Sequence, residues 1–287
     1  MSPGKPIPLD QRVEYKYQLD EQLASEVKEW ARSHLGVDAH CDTALGDSYE
    51  VNTLYLDTLG LDLYFRTRVA GRSKHRLRRY GREATVWLET KRKNKDCLVR
   101  KTRTAVAGEE LSSHLQNFLS TGHSVDRKTA MGTAQLDSLF EHTVGPAEGG
   151  ESKWSGQWFM DRIALRGLLP TVLVHYRRLA RTAMLNNENL RLTIDSHIQC
   201  SLPSQWNVSQ RAEVIVRDVP NVYILELKFC NQMPSLFKDL LRTFPLARTS
   251  FSKYRSAIDA WEVQHLAAAN PARIETINHA THPCGNT

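Results

Sequence analysis

The chain has 287 residues, 41% hydrophobic and 24% charged, with a formal net charge of +6 and an isoelectric point near 9.1. This is ordinary globular composition, long enough for one large domain or two small ones around a sizeable core. The five cysteines (Cys41, Cys97, Cys200, Cys230, Cys284) form no CxxC pair, which excludes the familiar zinc and disulfide-framework patterns and favours reduced thiols in a cytoplasmic protein.

No stretch approaches the roughly 20 apolar residues of a membrane span. Residues 1–9 contain three prolines and lack the apolar segment of a signal peptide. The basic excess favours an anionic partner: a nucleotide, a nucleic acid, polyphosphate or an acidic membrane surface.

Residues 1–10 read as a flexible arm. Residues 12–19 alternate in the manner of a strand. Residues 20–35 read as a helix that Asp20 can cap, with Leu23, Val27 and Trp30 at helical spacing. A loop at 36–48 leads to a strand at 49–57 and a short helix or turn at 61–69, closed by Gly71. Three strands follow at 74–80, 84–91 and 98–106. Residues 109–168 then place Leu111, Leu115, Phe118, Leu136, Leu139 and Phe140 at helical spacings, which predicts a helical insertion with a loop at 145–150 and with Trp154 and Trp158 in its core. Strands resume at 171–183 and 190–198, joined by a turn at Asn187-Glu188-Asn189, and again at 222–229. A last helix starts near Ser250 and runs through Tyr254, Ile258, Trp261 and Leu266, and residues 271–287 read as a flexible tail.

Residues two apart on a strand share a face, and here the ionisable residues keep that spacing. Lys74, Arg76 and Arg78 fall together, as do Arg12, Glu14 and Lys16, Glu89 and Lys91, Lys101 and Arg103, Arg191 and Asp195, and Glu226 and Lys228. The 222–229 strand is the most informative, because Ile224, Leu225, Leu227 and Phe229 are the neighbours of a buried strand, where an unpaired Glu or Lys is costly. Closure into a small barrel would point such a face into a charged, solvated lumen. Arg forks and Lys ammoniums there suit phosphate oxygens. The carboxylates Glu14, Glu89, Asp195 and Glu226 suit a divalent ion such as Mg2+ or Mn2+.

Nine segments in order carry a resemblance to a known family: Glu14-Tyr-Lys16-Tyr, Leu54-Tyr-Leu-Asp57, Lys74-His-Arg76-Leu-Arg78-Arg-Tyr-Gly81, Leu88-Glu-Thr-Lys91, Lys101-Thr-Arg103, Tyr176-Arg-Arg178-Leu-Ala180, Leu190-Arg-Leu-Thr-Ile-Asp195, Leu225-Glu-Leu-Lys228 and Ser252-Lys-Tyr254. The chain resembles the VTC domain, the catalytic module of the vacuolar transporter chaperone polyphosphate polymerase, within the triphosphate tunnel metalloenzyme superfamily. The resemblance implies an α+β fold: an antiparallel eight-stranded tunnel β-barrel with flanking helices, in a single domain over residues 11–270. It implies that Lys16, Arg76, Arg78, Lys91, Lys101, Arg178, Arg191 and Lys253 grip phosphates and that Glu226 carries the metal. Arg12, Lys74, Arg103, Lys228, Glu14, Glu89 and Asp195 become tunnel neighbours. Ser252 either binds a phosphate or caps the last helix.

Superfamily hydrolases and cyclases open with Glu-x-Glu-x-Lys, whereas this chain reads Arg12-Val-Glu14-Tyr-Lys16. The exchange of a carboxylate for a cation argues for the polymerase branch. The chain also lacks the membrane segments and second regulatory domain of the eukaryotic polymerases. The expected activity is transfer of the terminal phosphate of ATP, or of another nucleoside triphosphate, to inorganic polyphosphate or pyrophosphate with Mn2+ or Mg2+. The alternatives are a triphosphatase in the same tunnel and a non-catalytic polyphosphate- or RNA-binding module. Nucleic acid is disfavoured as a partner, because the basic run from Lys91 to Lys95 falls where a solvated hairpin turn is expected. Arg66 and Arg68 are assigned to a solvated helix face, and His34, His40 and His75 to the surface.

Overall fold

In the computed structural model, the described residues are 12–41, 45–67, 72–93, 99–120, 154–185, 188–203, 205–208, 217–219 and 222–261. The expected N-terminal arm, C-terminal tail, middle of the insertion and turn at Asn187 lie outside them, as do Arg68 and residues 94–98. The strands are β1 (Arg12–Leu19), β2 (Gly36–Val37), β3 (Ser48–Asp57), β4 (Arg72–Tyr80), β5 (Thr85–Lys93), β6 (Val99–Ala107), β7 (Leu169–Leu185), β8 (Glu188–Ser201), β9 (Arg217–Asp218), β10 (Tyr223–Cys230) and β11 (Ala247–Arg248). The helices are α1 (Glu21–His34), α2 (Asp62–Phe65), α3 (Gly108–Ser120), α4 (Gln157–Arg166), α5 (Ser235–Thr243) and α6 (Lys253–Ala260). Among the described residues, eight strands have eight or more residues and three have two. The fold is α+β, dominated by antiparallel sheet, as the sequence leads one to expect.

The chain divides into two compact units, and β3 and β7 contribute to both. The first contains Met1–Val51, His175–Gln199 and Asp218–Ser256. Its strands pair in the order β11-β1-β10-β8-β7, with β2 also on β7. Alternation decides the two faces of this sheet. Tyr17 and Leu19 of β1, Leu190, Leu192 and Ile194 of β8, and Leu225, Leu227 and Phe229 of β10 form one apolar layer. Ala24, Val27 and Ala31 of α1 and Phe237 and Leu240 of α5 belong to the same core. Helix α1 starts where the Asp20 carboxylate accepts from the Leu23 backbone N–H at 2.8 Å, the N-cap anticipated for it.

The second unit contains Asn52–Val174, Cys200–Arg217 and Ala257–Thr287. Its hairpins β4–β5 and β5–β6 set Lys74 opposite Lys91, Arg76 opposite Glu89, Lys91 opposite Lys101 and Glu89 opposite Arg103. The opposite face is buried through Leu77, Val86, Leu88 and Val106. His75 belongs to that face and is 0% exposed, hydrogen-bonded to Thr90 Oγ1 at 3.1 Å. Its assignment to the surface is therefore corrected: an odd position on β4 looks away from Lys74 and Arg76. Trp158 of α4 donates to Thr104 Oγ1 at 2.9 Å, and Trp154, which precedes the helix, stacks on His114 at 4.0 Å.

The short helix or turn expected at 61–69 is a single helical turn, α2, with Arg66 exposed at its C-cap. Two further differences from expectation are local. The last helix starts at Lys253 and not near Ser250, and reaches Ala260 among the described residues; its expected course to Leu266 lies outside them. Helix α5 was not anticipated, although Phe237, Leu240 and Leu241 recur at helical spacing in its sequence. No helix among the described residues is long and apolar enough to cross a membrane. Because Leu192 is 0% exposed in the apolar layer of the first unit, Leu192→Ala should cost about 2–5 kcal/mol in urea unfolding. Exposed Gln18 on the other face of β1 should tolerate alanine within about 0.5 kcal/mol in the same assay.

Candidate functional site

Each unit carries a charged sheet face opposite its apolar one. In the second unit the centre is Glu89, whose side chain is 1% exposed. Arg76 Nε lies 2.6 Å from its Oε2, Arg78 Nη1 3.7 Å from Oε2, Lys101 Nζ 2.9 Å from Oε1 and Arg103 Nε 3.2 Å from Oε1. These cations hold the Glu89 carboxyl well below the usual carboxylate range against the opposing effect of burial. Four cations on one carboxylate leave three positive charges in excess within the group (four minus one). Next along the ladder, Lys74, Lys91 and Lys101 stand abreast. Like charges directly opposite weaken a sheet, so this pairing carries an electrostatic cost within the face. Arg78 is fixed further by its Nε donating to Thr53 Oγ1 at 3.2 Å.

In the first unit, register sets Glu14 opposite Lys228, Lys16 opposite Glu226, and Glu226 opposite Thr193. Lys16 Nζ bridges Glu14 Oε1 at 3.4 Å and Glu226 Oε1 at 3.0 Å, and Lys228 Nζ reaches Glu226 Oε2 at 2.8 Å. Burial opposes the charge on Lys16, but the two carboxylates raise its pKa above that of an ordinary lysine. Asp195 is fully buried. Arg178 donates to both its oxygens, at 2.6 and 2.8 Å, and Lys253 donates to Oδ2. Asp195 and Glu226 both stay ionised below the usual carboxylate range despite burial, because Arg178 and the lysines surround them.

The remaining expected site residues are distributed as follows. Arg191 Nη2 lies 3.1 Å from Asp38 Oδ2 and donates to the Tyr49 hydroxyl at 2.9 Å, two partners that sequence reasoning missed. The Ser252 hydroxyl accepts from the Arg255 backbone N–H at 3.4 Å at the start of α6, which is the geometry of a helix cap. Arg12 pairs with Cys230 through β1, and its side chain lies outside the description. Sequence reasoning also passed over the aromatic partners. Tyr176 lies under Arg178 and Lys253, and Tyr80 and Trp87 lie against Arg103. Their signal was available: Tyr80 extends the parity of Arg76 and Arg78, Trp87 that of Glu89, and Tyr176 that of Arg178.

A resident divalent ion needs several converging oxygen ligands. Among the described residues no group of three or more His, Cys, Asp or Glu side chains comes together for one. Both Asp195 oxygens are taken by Arg178 and Lys253, and Glu89 belongs to the second unit with its own cations. Glu226 differs, since its closest partners are lysine ammoniums on flexible stems. Its cross-strand neighbour Thr193 holds a buried hydroxyl with no hydrogen-bond partner among the described residues. The described residues do not fit an ion held by their side chains alone.

The VTC domain profile matches residues 11–262. The chain belongs to the VTC domain family. Three solved structures are similar at low identity. A candidate adenylate cyclase from Bacillus halodurans is 14% identical with a TM-score of 0.43, over 84% of this chain and 93% of that one. A candidate adenylyl cyclase from Hippeastrum, described as having a dominant triphosphatase activity, is 16% identical with a TM-score of 0.43, over 85% and 93%. The PH1819 protein of Pyrococcus horikoshii OT3 is 10% identical with a TM-score of 0.41, over 87% and 99%. No curated protein matches the chain.

The site's pH dependence has a definite sign. Burial pushes Lys101 and Lys228 below the ordinary lysine value of 10.5, so both lose their charge before a typical lysine does. Affinity for tripolyphosphate, measured by calorimetry, should therefore fall as pH rises through the range beneath 10.5. In Lys101→Arg the fall should move to higher pH, because a guanidinium keeps its proton. The depressed carboxylates act in the other direction. Their contribution to stability is complete above about pH 4 and is lost only as acid titrates through their lowered values, so the melting temperature should hold to about pH 4 and drop below it.

Proposed function

We propose that this VTC-family protein is a polyphosphate polymerase-like phosphotransferase, with residues 11–270 working as a single domain in the cytoplasm. The observation that carries the reading is the gathering of Arg76, Arg78, Lys101 and Arg103 on the single carboxylate of Glu89. That face is short of anions, and a phosphate chain supplies them at close spacing. The substrates are ATP or another nucleoside triphosphate and the end of inorganic polyphosphate or pyrophosphate. Mn2+ or Mg2+ would be brought by the nucleotide and would neutralise phosphate charge, with Glu226 the residue assigned to it.

A terminal oxygen of the chain forms a bond to the γ-phosphorus of ATP, the bond from that phosphorus to the β–γ bridging oxygen breaks, and ADP leaves. The attacking oxygen is already anionic, so no side chain is needed as a base. The protein acts by positioning and charge neutralisation. Arg76, Arg78, Lys91, Arg178, Arg191 and Lys253 are assigned to the reacting phosphates, and Arg12, Lys16, Lys74, Lys101, Arg103, Lys228 and Ser252 to the chain. Glu14, Glu89 and Asp195 keep these cations in register.

Incubation of the purified protein with ATP and Mn2+ tests this reading. Phosphate chains that lengthen on a gel support it. Release of free phosphate alone points to the triphosphatase, and intact ATP to a binding module. Removing a preorganised charge contact to a transferring phosphate costs on the order of 100-fold in rate, so Arg76→Ala and Glu226→Ala should each slow chain synthesis by about that factor. The site assignment fails if both variants synthesise chains at the wild-type rate.

A further inference from the structure

Arg103 is held differently from the other cations around Glu89. Its Nε pairs with Glu89 at 3.2 Å and its Nη2 donates to the Tyr80 hydroxyl at 3.3 Å. Its guanidinium carbon lies 3.3 Å from the centre of the Trp87 ring and 5.6 Å from that of Tyr80. Arg78 lies 6.0 Å from the same Tyr80 ring, so one phenol serves two arginines. Both charges draw the Tyr80 pKa below the ordinary phenol value, although burial pushes it up.

The register explains how the stack forms. Trp87 is opposite Arg78 on one side and Ala105 on the other. Ala105 fills little of the space beside the indole, and Arg103, two residues along β6, lies over it. The indole Nε1 is buried without a hydrogen-bond partner among the described residues. An unmade buried hydrogen bond costs stability, so the ring is not kept in place for its N–H. Its flat face against the guanidinium is the interaction it does make, and such contacts strengthen as water is removed.

A free arginine side chain loses several rotors when it grips an anion, and a guanidinium already held in plane loses less. We propose that Trp87 and Tyr80 are positioning residues that bracket Arg103, so that its fork meets a phosphate chain in a fixed plane. This rests on the phosphate-chain reading of the site. On this proposal Trp87 acts on binding through Arg103, whereas Tyr80 acts through both Arg103 and Arg78.

The test is a double-mutant cycle read by calorimetric titration of the full chain with inorganic tripolyphosphate, which needs no turnover. Trp87→Leu should weaken binding about tenfold, a size within reach of a desolvated cation–π contact. Trp87→Phe keeps an aromatic face and drops the orphan N–H, and should stay within about threefold of wild type. In an Arg103→Ala background, Trp87→Leu should change the affinity by less than about twofold, because the group it positions is gone. Tyr80→Phe removes the hydroxyl to which Arg103 donates and should lose only part of its effect in the Arg103→Ala background, because Arg78 also lies against Tyr80. An equal loss from Trp87→Leu with and without Arg103, or a Trp87→Phe variant as weak as Trp87→Leu, overturns the proposal. Should Trp87→Leu melt below the assay temperature, Trp87→Met takes its place in the cycle and decides by the same criterion. Failure of the wild-type protein to bind tripolyphosphate would instead remove the phosphate reading beneath it, an outcome distinct from binding with an additive cycle.

Discussion

An ionised carboxylate taken out of water must find positive charge or give up its own. Glu89 finds it four times over, and much of the second unit's charged face follows from that. Arg76 is directly opposite Glu89 on β4 and Arg103 is directly opposite it on β6, so the two hairpins close a charged row through one carboxylate. Without Glu89 the row would be a band of repelling cations across three strands. With it the row is ordered and keeps a surplus of positive charge.

The first unit solves the same problem with a different balance. Lys16, Lys228, Lys253 and Arg178 are matched against Glu14, Glu226 and Asp195, four cations against three carboxylates. Asp195 is locked by the two-pronged contact of Arg178, a strong and directional pair. Glu226 is held by lysines, whose point charges can turn elsewhere without breaking a fork. One carboxylate is thus structural in character and the other exchangeable, although both are buried and both stay ionised.

Aromatic rings form the layer between charge and core. Tyr176 lies against Arg178 and Lys253, and Trp87 and Tyr80 lie against Arg103. Such rings exclude water from one side of a guanidinium or ammonium while leaving its N–H edges available. They convert flexible cations into fixed ones at a small cost in hydrogen bonding, visible in the unpartnered Trp87 Nε1 and Tyr176 Oη among the described residues.

The eight long strands, their faces and the charged residues on them were legible in the sequence, because strand alternation is a local rule with a period of two, whereas the two-residue strands β2, β9 and β11 are too short to show it. Lys74, Arg76 and Arg78 had to share a face whatever the rest of the chain did, and so did Glu226 and Lys228. The same rule, had it been applied to His75, would have placed it among the buried residues. Helix α5 was missed because its four apolar residues, Leu236, Phe237, Leu240 and Leu241, span less than two turns and are a short periodic signal beside the strong run of β10. Which cation meets which carboxylate was not legible. Lys16 meets Glu226, Arg178 meets Asp195 and Arg76 meets Glu89 through strand register and pairing order, which depend on turns and on packing far along the chain. Parity in the sequence determined that the charges lie on one side. Only the tertiary structure decided that Glu89 gathers a surplus of them while Asp195 is locked and Glu226 is left to its lysines, because a pair of charges has meaning only at a distance, and distance is set by the fold.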